Sequence, residues 1–168
     1  MNISPEYLAL NQQLHAEKPA WGSSARLRIN GVLNLEREID AQTILDYGCG
    51  KGLMSRQSGL IMDEYDPAIP GKETIRLSSY DMVICTDVME HVEPEFVDNV
   101  LNEIESLAVK GVYFIIYLVP ALHLLPDGSN CHRTIQPAEW WVNKIESIFQ
   151  CSVVCKSTQT EAEIIVVR

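Results

Sequence analysis

The residues most suited to chemistry are three glycines at alternate positions after a short apolar segment. The string ILDYGCGKG, residues 44–52, runs from a strand-like segment into Gly48, Gly50 and Gly52. Glycines spaced in this way let the main chain bend sharply and bring its N–H groups against a ligand, and a helix that begins just beyond presents its positive end. The string therefore predicts a loop that holds a cofactor. A glycine-rich turn without a ligand is the alternative.

An acidic residue after the next apolar segment indicates the kind of cofactor. Asp66, in the string EYDP, ends that segment, where a carboxylate can accept hydrogen bonds from the ribose hydroxyls of a nucleotide. The dinucleotide pattern G-x-G-x-x-G is broken, because Leu53 occupies its third glycine position and the glycine is Gly52 instead. A nicotinamide or flavin enzyme is therefore the weaker of two interpretations.

A second group of reactive side chains follows the central apolar segment. Asp87, Glu90 and His91 lie close together in the sequence, and His132 lies in the later string LPDGSNCHRT. An imidazole titrates near neutral pH, so His91 or His132 can take a proton from an acceptor hydroxyl. The structural alternative is that Glu90 and His91 only cap or brace the next helix.

These residues need a parallel sheet to position them. Short β-branched segments alternate with segments of helical periodicity, which predicts an α/β domain. Ligands bind beyond the carboxyl ends of the strands in such a sheet, so the glycine loop and Asp87 should lie at the same edge. The predicted strands are Thr43–Tyr47, Leu60–Tyr65, Met82–Thr86, Gly111–Leu118, Ser152–Lys156 and Glu163–Val167.

Two helices are clear from their apolar stripes and from the prolines at which they begin. The first begins at Pro94 and buries Val97, Val100, Leu101, Ile104, Leu107 and Ala108. The second begins at Pro137 and buries Trp141, Ile145, Ile148 and Phe149. The polar stretch 157–161 is too short for a crossover helix, so the last two strands should pair antiparallel. We therefore predict a doubly wound, mostly parallel sheet with an antiparallel last strand and helices on both faces.

Composition and charge narrow the classes of function. The 168 residues are 46% hydrophobic and 21% charged, which suits a single domain over residues 1–168. Thirteen basic and 23 acidic residues give a net charge of −10, so a nucleic acid partner is disfavoured. The longest apolar stretch, Val112–Leu125, is interrupted and too short to span a membrane. Scattered cysteines and the lack of a signal-like start predict a cytoplasmic protein.

The ordered motifs resemble those of the class I S-adenosylmethionine-dependent methyltransferases, in particular the small type 11 and type 12 members. DYGCGKG is similar to that family's first motif, Asp66 matches its ribose-binding acid, and YDMVICTDVMEHV, residues 80–92, resembles its central strand and the acidic loop beyond. The resemblance covers most of the chain from Thr43 onward. It implies a Rossmann-like fold, S-adenosylmethionine as cofactor, and a small-molecule acceptor that is methylated on oxygen.

The resemblance also implies roles for individual residues. The cofactor would lie against Asp46, Gly48, Cys49, Gly50, Gly52, Asp66, Pro67 and Asp87. Asp46 and the glycines would position its sulfonium end, and Asp66 would hold its ribose. The catalytic residues would be Asp87, His91 and His132. A non-catalytic cofactor-binding module and an enzyme that cleaves the sulfonium compound are the alternatives.

Two stretches depart from the family pattern. Residues 67–79 lack the acid that usually receives the adenine amino group, which leaves Ile69, Leu77 and Tyr80 as candidates for an adenine pocket. The spacing D-x-x-E-H with a later His is similar to the metal-binding pattern of ubiquinone-biosynthesis O-methyltransferases and Hen-type small-RNA 2′-O-methyltransferases. Those proteins have Glu at the position of Asp87. We assign no metal ligand from the sequence.

Two flanking segments carry further expectations. Residues 1–42 resemble the N-terminal lid of small family members, which would close over the cofactor with Tyr7, His15, Trp21 and Gly22. A helix that covers one face of the sheet is the alternative. In the later loop, the residues proposed to contact an acceptor are Asn130, His132, Arg133 and Trp140. Trp141 is expected in the core, because it shares an apolar stripe with Ile145.

Overall fold

Six strands form one mixed sheet in a computed structural model that describes residues 2–18 and 27–168. The strands are β1 (Ile44–Tyr47), β2 (Asp63–Tyr65), β3 (Tyr80–Thr86), β4 (Ala108–Tyr117), β5 (Val154–Ser157) and β6 (Glu161–Val167). Their order across the sheet is β2-β1-β3-β4-β6-β5. Each of the six lies on or next to a strand predicted from the sequence.

Strand direction follows the prediction. β1 pairs in parallel with β2 and β3, and β3 pairs in parallel with β4. β6 runs antiparallel to both β4 and β5. The doubly wound, mostly parallel sheet with an antiparallel last strand is therefore confirmed.

Helices cover both faces of this sheet. The α-helices named in this structure are α1 (Pro5–Glu17), α2 (Ile29–Ile39), α3 (Leu53–Ser58), α4 (Val97–Leu107) and α5 (Ala138–Phe149), with short 3₁₀ turns at Met89–His91 and Pro94–Phe96. The last four of these α-helices cover the sheet. On one face α4 and α5 pack against alternate residues of the strands, with Ile104 and Trp141 fully buried. On the other face α2 and α3 pack, with Val32 and Met54 in the core. In the described ranges, no helix combines the length and apolar character that crossing a membrane requires.

The stretch between β2 and β3 is reduced. Residues 66–79 contain turns and bends but no helix or strand. The turn is held by hydrogen bonds from Asp66 N–H to the Lys72 carbonyl, at 2.9 Å, and from Lys72 N–H to the Ile69 carbonyl, at 3.0 Å. β2 is therefore an edge strand, and the described sheet does not extend beyond it.

The N-terminal helix α1 packs on the loop after β4. Tyr7 and Leu14 of α1 form a small apolar cluster with Leu125 and Cys131. Ser4 caps the helix, because its hydroxyl accepts a hydrogen bond from Tyr7 N–H at 3.2 Å. The alternative in which this segment covers a sheet face is wrong for α1. Trp21 and Gly22 lie outside the described residues.

We expect the substitution Ile104→Ala to lower the free energy of unfolding by about 2–5 kcal/mol, because it leaves a cavity between α4 and the sheet. Urea denaturation measures the change. The matched control is Val154→Ala on the edge strand β5, where the side chain is 58% exposed and the loss should be about 0.5 kcal/mol. Equal losses would contradict the packing of α4 on this face.

Candidate functional site

The carboxyl ends of β1, β2 and β3 open into a cavity of about 560 Å³. This volume is in the range of small-molecule sites. Loops from these strands form the floor, and α1 forms a wall on the opposite side. The floor residues are Asp46, Gly48, Cys49, Gly50, Asp66, Pro67, Ala68 and Asp87, and the residues from α1 are Tyr7, Leu8, Asn11, Gln12 and His15.

The glycine loop is bent tightly against its neighbours. Gly48 and Cys49 both donate main-chain hydrogen bonds to the Tyr65 carbonyl, at 2.8 and 3.0 Å, so the loop is fixed to the end of β2. Gly48 has φ +76°, and a Cβ there would lie 2.3 Å from a methyl carbon of Val88. Only glycine satisfies both the backbone conformation and this close approach.

The Asp66 side chain fixes the glycine loop through a hydrogen bond. Its two carboxylate oxygens accept hydrogen bonds from Gly50 N–H and Ala68 N–H, both at 2.9 Å. The residue is 8% exposed and faces the cavity. Each carboxylate oxygen has capacity for a further hydrogen bond. A ribose hydroxyl would therefore meet a carboxylate that the chain has already oriented.

Gly52 differs from the other glycines of the motif. It is absent from the cavity wall and begins α3 with φ +70°. A Cβ at Gly52 would lie 2.1 Å from Glu64 Oε1. The left-handed backbone conformation therefore favours glycine here, whereas the flexible end of the Glu64 side chain could move aside. The sequence-based expectation that Gly52 contacts the cofactor remains a prediction, although its position disfavours it.

Asp46 lies one residue before the end of β1 and lines the cavity. It is 3% exposed, and burial together with the nearby Glu64 carboxylate raises its pKa to about 7. An ionised carboxylate in this position needs a positive charge beside it. Lys72 supplies part of that charge from the β2–β3 turn, and a cationic ligand in the cavity would supply more.

The histidine centre is our name for Glu90, His91 and His132, which two separate segments bring together. Asp87 adopts φ +57° directly after β3, and the 3₁₀ turn Met89–His91 follows. The Glu90 carbonyl accepts hydrogen bonds from Arg133 N–H at 2.7 Å and Thr134 N–H at 3.0 Å. These bonds dock the later loop on the turn, so the rings of His91 and His132 lie 4.8 Å apart, edge to face.

Both imidazoles are held through the same ring nitrogen. His91 Nδ1 donates to the Cys131 carbonyl at 3.0 Å, and His132 Nδ1 donates to the Val119 carbonyl at 2.6 Å. In each neutral ring Nε2 then carries the lone pair. Burial and the neighbouring His132 lower the pKa of His91 to about 3, and burial also lowers the pKa of His132. Both rings are therefore neutral near pH 7.

Glu90 is the most unusual member of the histidine centre. Its side chain is 0% exposed, and neither carboxylate oxygen accepts a hydrogen bond of ordinary geometry from a described residue. Burial and the charge of Asp87 raise its pKa well above the ordinary value, although the main-chain N–H groups of Glu90 and Tyr117 act on the carboxylate and oppose this rise. Ligand atoms of Glu90, His91 and His132 all lie within 4.8 Å of one another. Such a group of a carboxylate and two imidazoles can hold a divalent cation.

In the loop after β4, the Asn130 side chain hydrogen-bonds to the main chain of the same loop. Asn130 Oδ1 accepts hydrogen bonds from Ala121 N–H at 3.0 Å and His132 N–H at 2.9 Å, and its amide donates to the Ala121 carbonyl at 2.9 Å. Asn130 thus closes a loop and positions His132. The expectation that Asn130 binds an acceptor is disfavoured, and Trp140 lies outside the cavity wall, packed on the core.

The adenine candidates from the sequence are not brought to the cavity. Ile69, Leu77 and Tyr80 are absent from its wall. Tyr80 is 1% exposed in the core and donates its hydroxyl to Asp63 at 2.9 Å. The residues near Asp66 that do line the cavity are Tyr65, Pro67, Ala68 and Glu73.

Sequence reasoning missed three charged residues near the site. Arg28, before α2, forms a two-bond pair with Glu161, at 2.7 and 3.1 Å, and its Nη2 lies 3.6 Å from Asp87 Oδ1. Glu93 and Glu103 line the cavity, and the Glu103 carboxylate accepts a hydrogen bond from the Tyr47 hydroxyl at 2.5 Å. No local pattern marks these residues, because their partners lie far away in the sequence.

Comparison with known proteins identifies the fold. Neither the scan of protein-family models nor the search of curated proteins gave a match. Among solved structures, the chain is similar to the Burkholderia thailandensis 1,6-didemethyltoxoflavin-N1-methyltransferase with bound 1,6-didemethyltoxoflavin and S-adenosylhomocysteine. The TM-score is 0.67 at 13% identity, over 97% of this chain and 89% of that one.

Two further structures are similar. One is the magnesium protoporphyrin IX methyltransferase of Synechocystis PCC 6803 with S-adenosylhomocysteine bound, with TM-score 0.60 at 20% identity over 88% of this chain and 83% of that one. The other is an O-methyltransferase family protein from Burkholderia thailandensis, with TM-score 0.56 at 12% identity. The match covers 86% of this chain but 58% of that protein's length. The chain therefore has the fold of these methyltransferases, and the predicted Rossmann-like fold is confirmed.

We expect Asp46→Asn to raise the free energy of unfolding at pH 8 by about 1–4 kcal/mol, because the folded state then no longer carries a buried charge. The pKa of Asp46 is raised on folding, so its contribution to stability is lost as the pH rises from about 4 to about 7. The two proteins should be equally stable at pH 4. Urea denaturation at several pH values measures this, with the exposed Asp98→Asn as control. An unchanged pH dependence would contradict the burial of an ionisable Asp46.

Proposed function

We propose that the chain is an S-adenosylmethionine-dependent methyltransferase that acts on a hydroxyl of a small molecule. The observation that carries the proposal is the cradle formed by the bend at Gly48–Gly50 and the oriented Asp66 carboxylate beside one cavity. The similar solved structures support it, since two of them hold S-adenosylhomocysteine. The net charge of −10 favours a small molecule over nucleic acid.

The donors and charges of the cavity fit this cofactor. Asp66 would accept hydrogen bonds from the ribose hydroxyls, and Tyr65, Ala68 and Glu73 would face the adenine. Asp46 lies beneath the loop with a raised pKa, so a cationic amino-acid or sulfonium group nearby would stabilise its carboxylate. Pro67 and Cys49 would contact the cofactor as uncharged groups, because both line the cavity wall. The Cys49 thiol is neutral, since burial raises its pKa.

The histidine centre would act on the acceptor. Its carboxylate and two imidazoles converge, with ligand atoms within 4.8 Å of one another, and the fully buried Glu90 carboxylate favours a divalent cation there. A bound cation would polarise an acceptor oxygen and lower the pKa of its hydroxyl. This proposal replaces the assignment of no metal ligand, and it gives His91 and His132 the role of ligands whose Nδ1 hydrogen bonds fix their orientation.

Charge restricts the acceptor further. Six carboxylates line the cavity, and its described wall contains neither lysine nor arginine; the carboxylates are Asp46, Asp66, Glu73, Asp87, Glu93 and Glu103. An anionic acceptor would therefore be repelled at close range. This favours a neutral hydroxyl compound such as a sugar or another polar metabolite. The cysteines are free thiols, which supports the proposed cytoplasmic location.

Asp66→Ala and His132→Ala, tested side by side, separate catalysis from mere cofactor binding. We expect Asp66→Ala to weaken S-adenosylmethionine binding about 10- to 100-fold, because hydrogen bonds to a charged group are lost. His132→Ala should retain binding and lower methyl transfer about 100-fold. Calorimetry measures binding, and product formation is measured over a panel of sugars and phenols.

The control for both variants is Asp98→Ala, which removes an exposed carboxylate on α4. If wild-type protein binds the cofactor and neither variant alters any methyl transfer, the non-catalytic alternative is supported. Breakdown of the cofactor without a methylated product would support the sulfonium-cleaving alternative. Absence of binding to S-adenosylmethionine, S-adenosylhomocysteine and NAD would contradict the cradle itself.

Glu90→Gln tests the cation separately. Removing a residue that hydrogen-bonds to a metal ligand typically lowers metal affinity about 10- to 100-fold, and removing the ligand itself should lower it at least as much. We therefore expect Glu90→Gln to lose most Mn²⁺ affinity while becoming more stable without metal, since the buried acidic group is gone. Calorimetry and thermal unfolding measure the two effects, with the exposed Glu95→Gln as control. Mn²⁺ binding that survives in Glu90→Gln would contradict this centre.

A further inference from the structure

One main-chain carbonyl links the helix over the cavity to the histidine centre. The Cys131 carbonyl oxygen accepts hydrogen bonds from the Tyr7 hydroxyl at 2.9 Å and from His91 Nδ1 at 3.0 Å. Cys131 is 0% exposed and Tyr7 is 5% exposed, so water does not compete for this carbonyl. The two donors fix its direction, and the position of Tyr7 therefore affects the orientation of the His91 ring.

Tyr7 also belongs to the cavity wall, because it lies on α1 among the residues that face the cofactor. α1 is fastened at its start, where Ser4 N–H and its hydroxyl donate to the Glu93 carboxylate at 2.9 and 2.7 Å. Beyond its end, the Lys18 carbonyl accepts a hydrogen bond from Lys51 of the glycine loop at 2.8 Å. A ligand that fills the cavity therefore contacts the helix whose tyrosine holds the Cys131 carbonyl.

A second contact joins α1 to the same loop. The Arg133 guanidinium lies over the Tyr7 ring, 5.4 Å from its centroid. Arg133 N–H also donates to the Glu90 carbonyl at 2.7 Å, next to the histidine centre. The ring of Tyr7 and its hydroxyl thus contact neighbouring residues of the segment that carries His132.

We propose that Tyr7 is a positioning residue that couples cofactor binding to the geometry of the histidine centre. The inference rests on the proposed function. A cofactor in the cavity holds α1 against the loop after β4, and Tyr7 then holds the Cys131 carbonyl and the His91 ring in place. Because coupling between two sites is reciprocal, a cation at the histidine centre strengthens cofactor binding by the same factor.

Tyr7→Phe tests the coupling, because it removes the hydroxyl and keeps the ring in the cavity wall. The matched control is Tyr113→Phe, which removes another buried hydroxyl that donates to Glu163 at 2.6 Å, away from the cavity wall. Calorimetry gives the S-adenosylhomocysteine affinity with and without Mn²⁺, and the Mn²⁺ affinity with and without S-adenosylhomocysteine. Hydrogen exchange over residues 119–134 reports on the loop directly.

In wild type and Tyr113→Phe we expect each ligand to strengthen the other about fivefold or more. S-adenosylhomocysteine should also slow exchange over residues 131–134. In Tyr7→Phe the coupling factor, which is the ratio of the S-adenosylhomocysteine affinities with and without Mn²⁺, should fall toward one, and the slowed exchange should be lost. A general loss of stability would weaken both affinities without removing their coupling.

Three outcomes overturn the positioning role: coupling that persists in Tyr7→Phe, an equal loss in Tyr113→Phe, or S-adenosylhomocysteine binding to wild type that leaves exchange over residues 131–134 unchanged. If Mn²⁺ does not bind, the cation part of the proposed function fails, and the exchange measurement decides the role of Tyr7. If S-adenosylhomocysteine does not bind wild type, the proposed function and this inference fail together.

Discussion

The bend at Gly48–Gly50 is the constraint on which the site depends. Three main-chain N–H groups of this loop are committed to the end of β2: Gly48 and Cys49 donate to the Tyr65 carbonyl, and Gly50 donates to Asp66. These bonds exist only because β1 and β2 run in parallel and end together. The sheet thus orients the Asp66 carboxylate before any ligand arrives, which lowers the entropy cost of binding. The cavity lies at this edge of the sheet because the parallel strands β1, β2 and β3 all end there.

The parts of the fold that the sequence predicted correctly are those set by local patterns. The apolar stripe of α4 and the prolines before α4 and α5 mark these helices, although the chain from Pro94 to Phe96 forms a 3₁₀ turn before α4 begins at Val97. β3 and β4 begin earlier than predicted, at Tyr80 and Ala108. Strand ends depend on the partner strand, which a local pattern does not contain.

The residues of the candidate site also fall into two groups, those placed by local sequence patterns and those placed by tertiary packing. The positions of Gly48, Gly50 and Asp66 at the cavity were predictable, because they follow from the order of β1, α3 and β2 along the chain. The contacts of Arg28 with Asp87 and Glu161 were not, since tertiary packing alone joins these three segments. Gly52 shows what a motif alone does not tell. It shares the spacing of Gly48 and Gly50, but it is absent from the cavity wall and its nearest neighbour is the Glu64 side chain.

Two buried acids and one left-handed backbone position at or beside the cavity disfavour the folded state without a ligand. Asp46 and Glu90 are buried acids with raised pKa values, and Asp87 holds a left-handed backbone conformation that a non-glycine residue rarely adopts. A core under selection for stability alone would replace such groups by apolar side chains. A positive ligand charge would remove the cost at Asp46, and the proposed cation would remove it at Glu90. Burial of Asp46 and Glu90 lowers the stability of the protein without ligands. The same burial would strengthen the binding of a positively charged cofactor group and of a metal cation, because opposite charges attract more strongly where water is excluded.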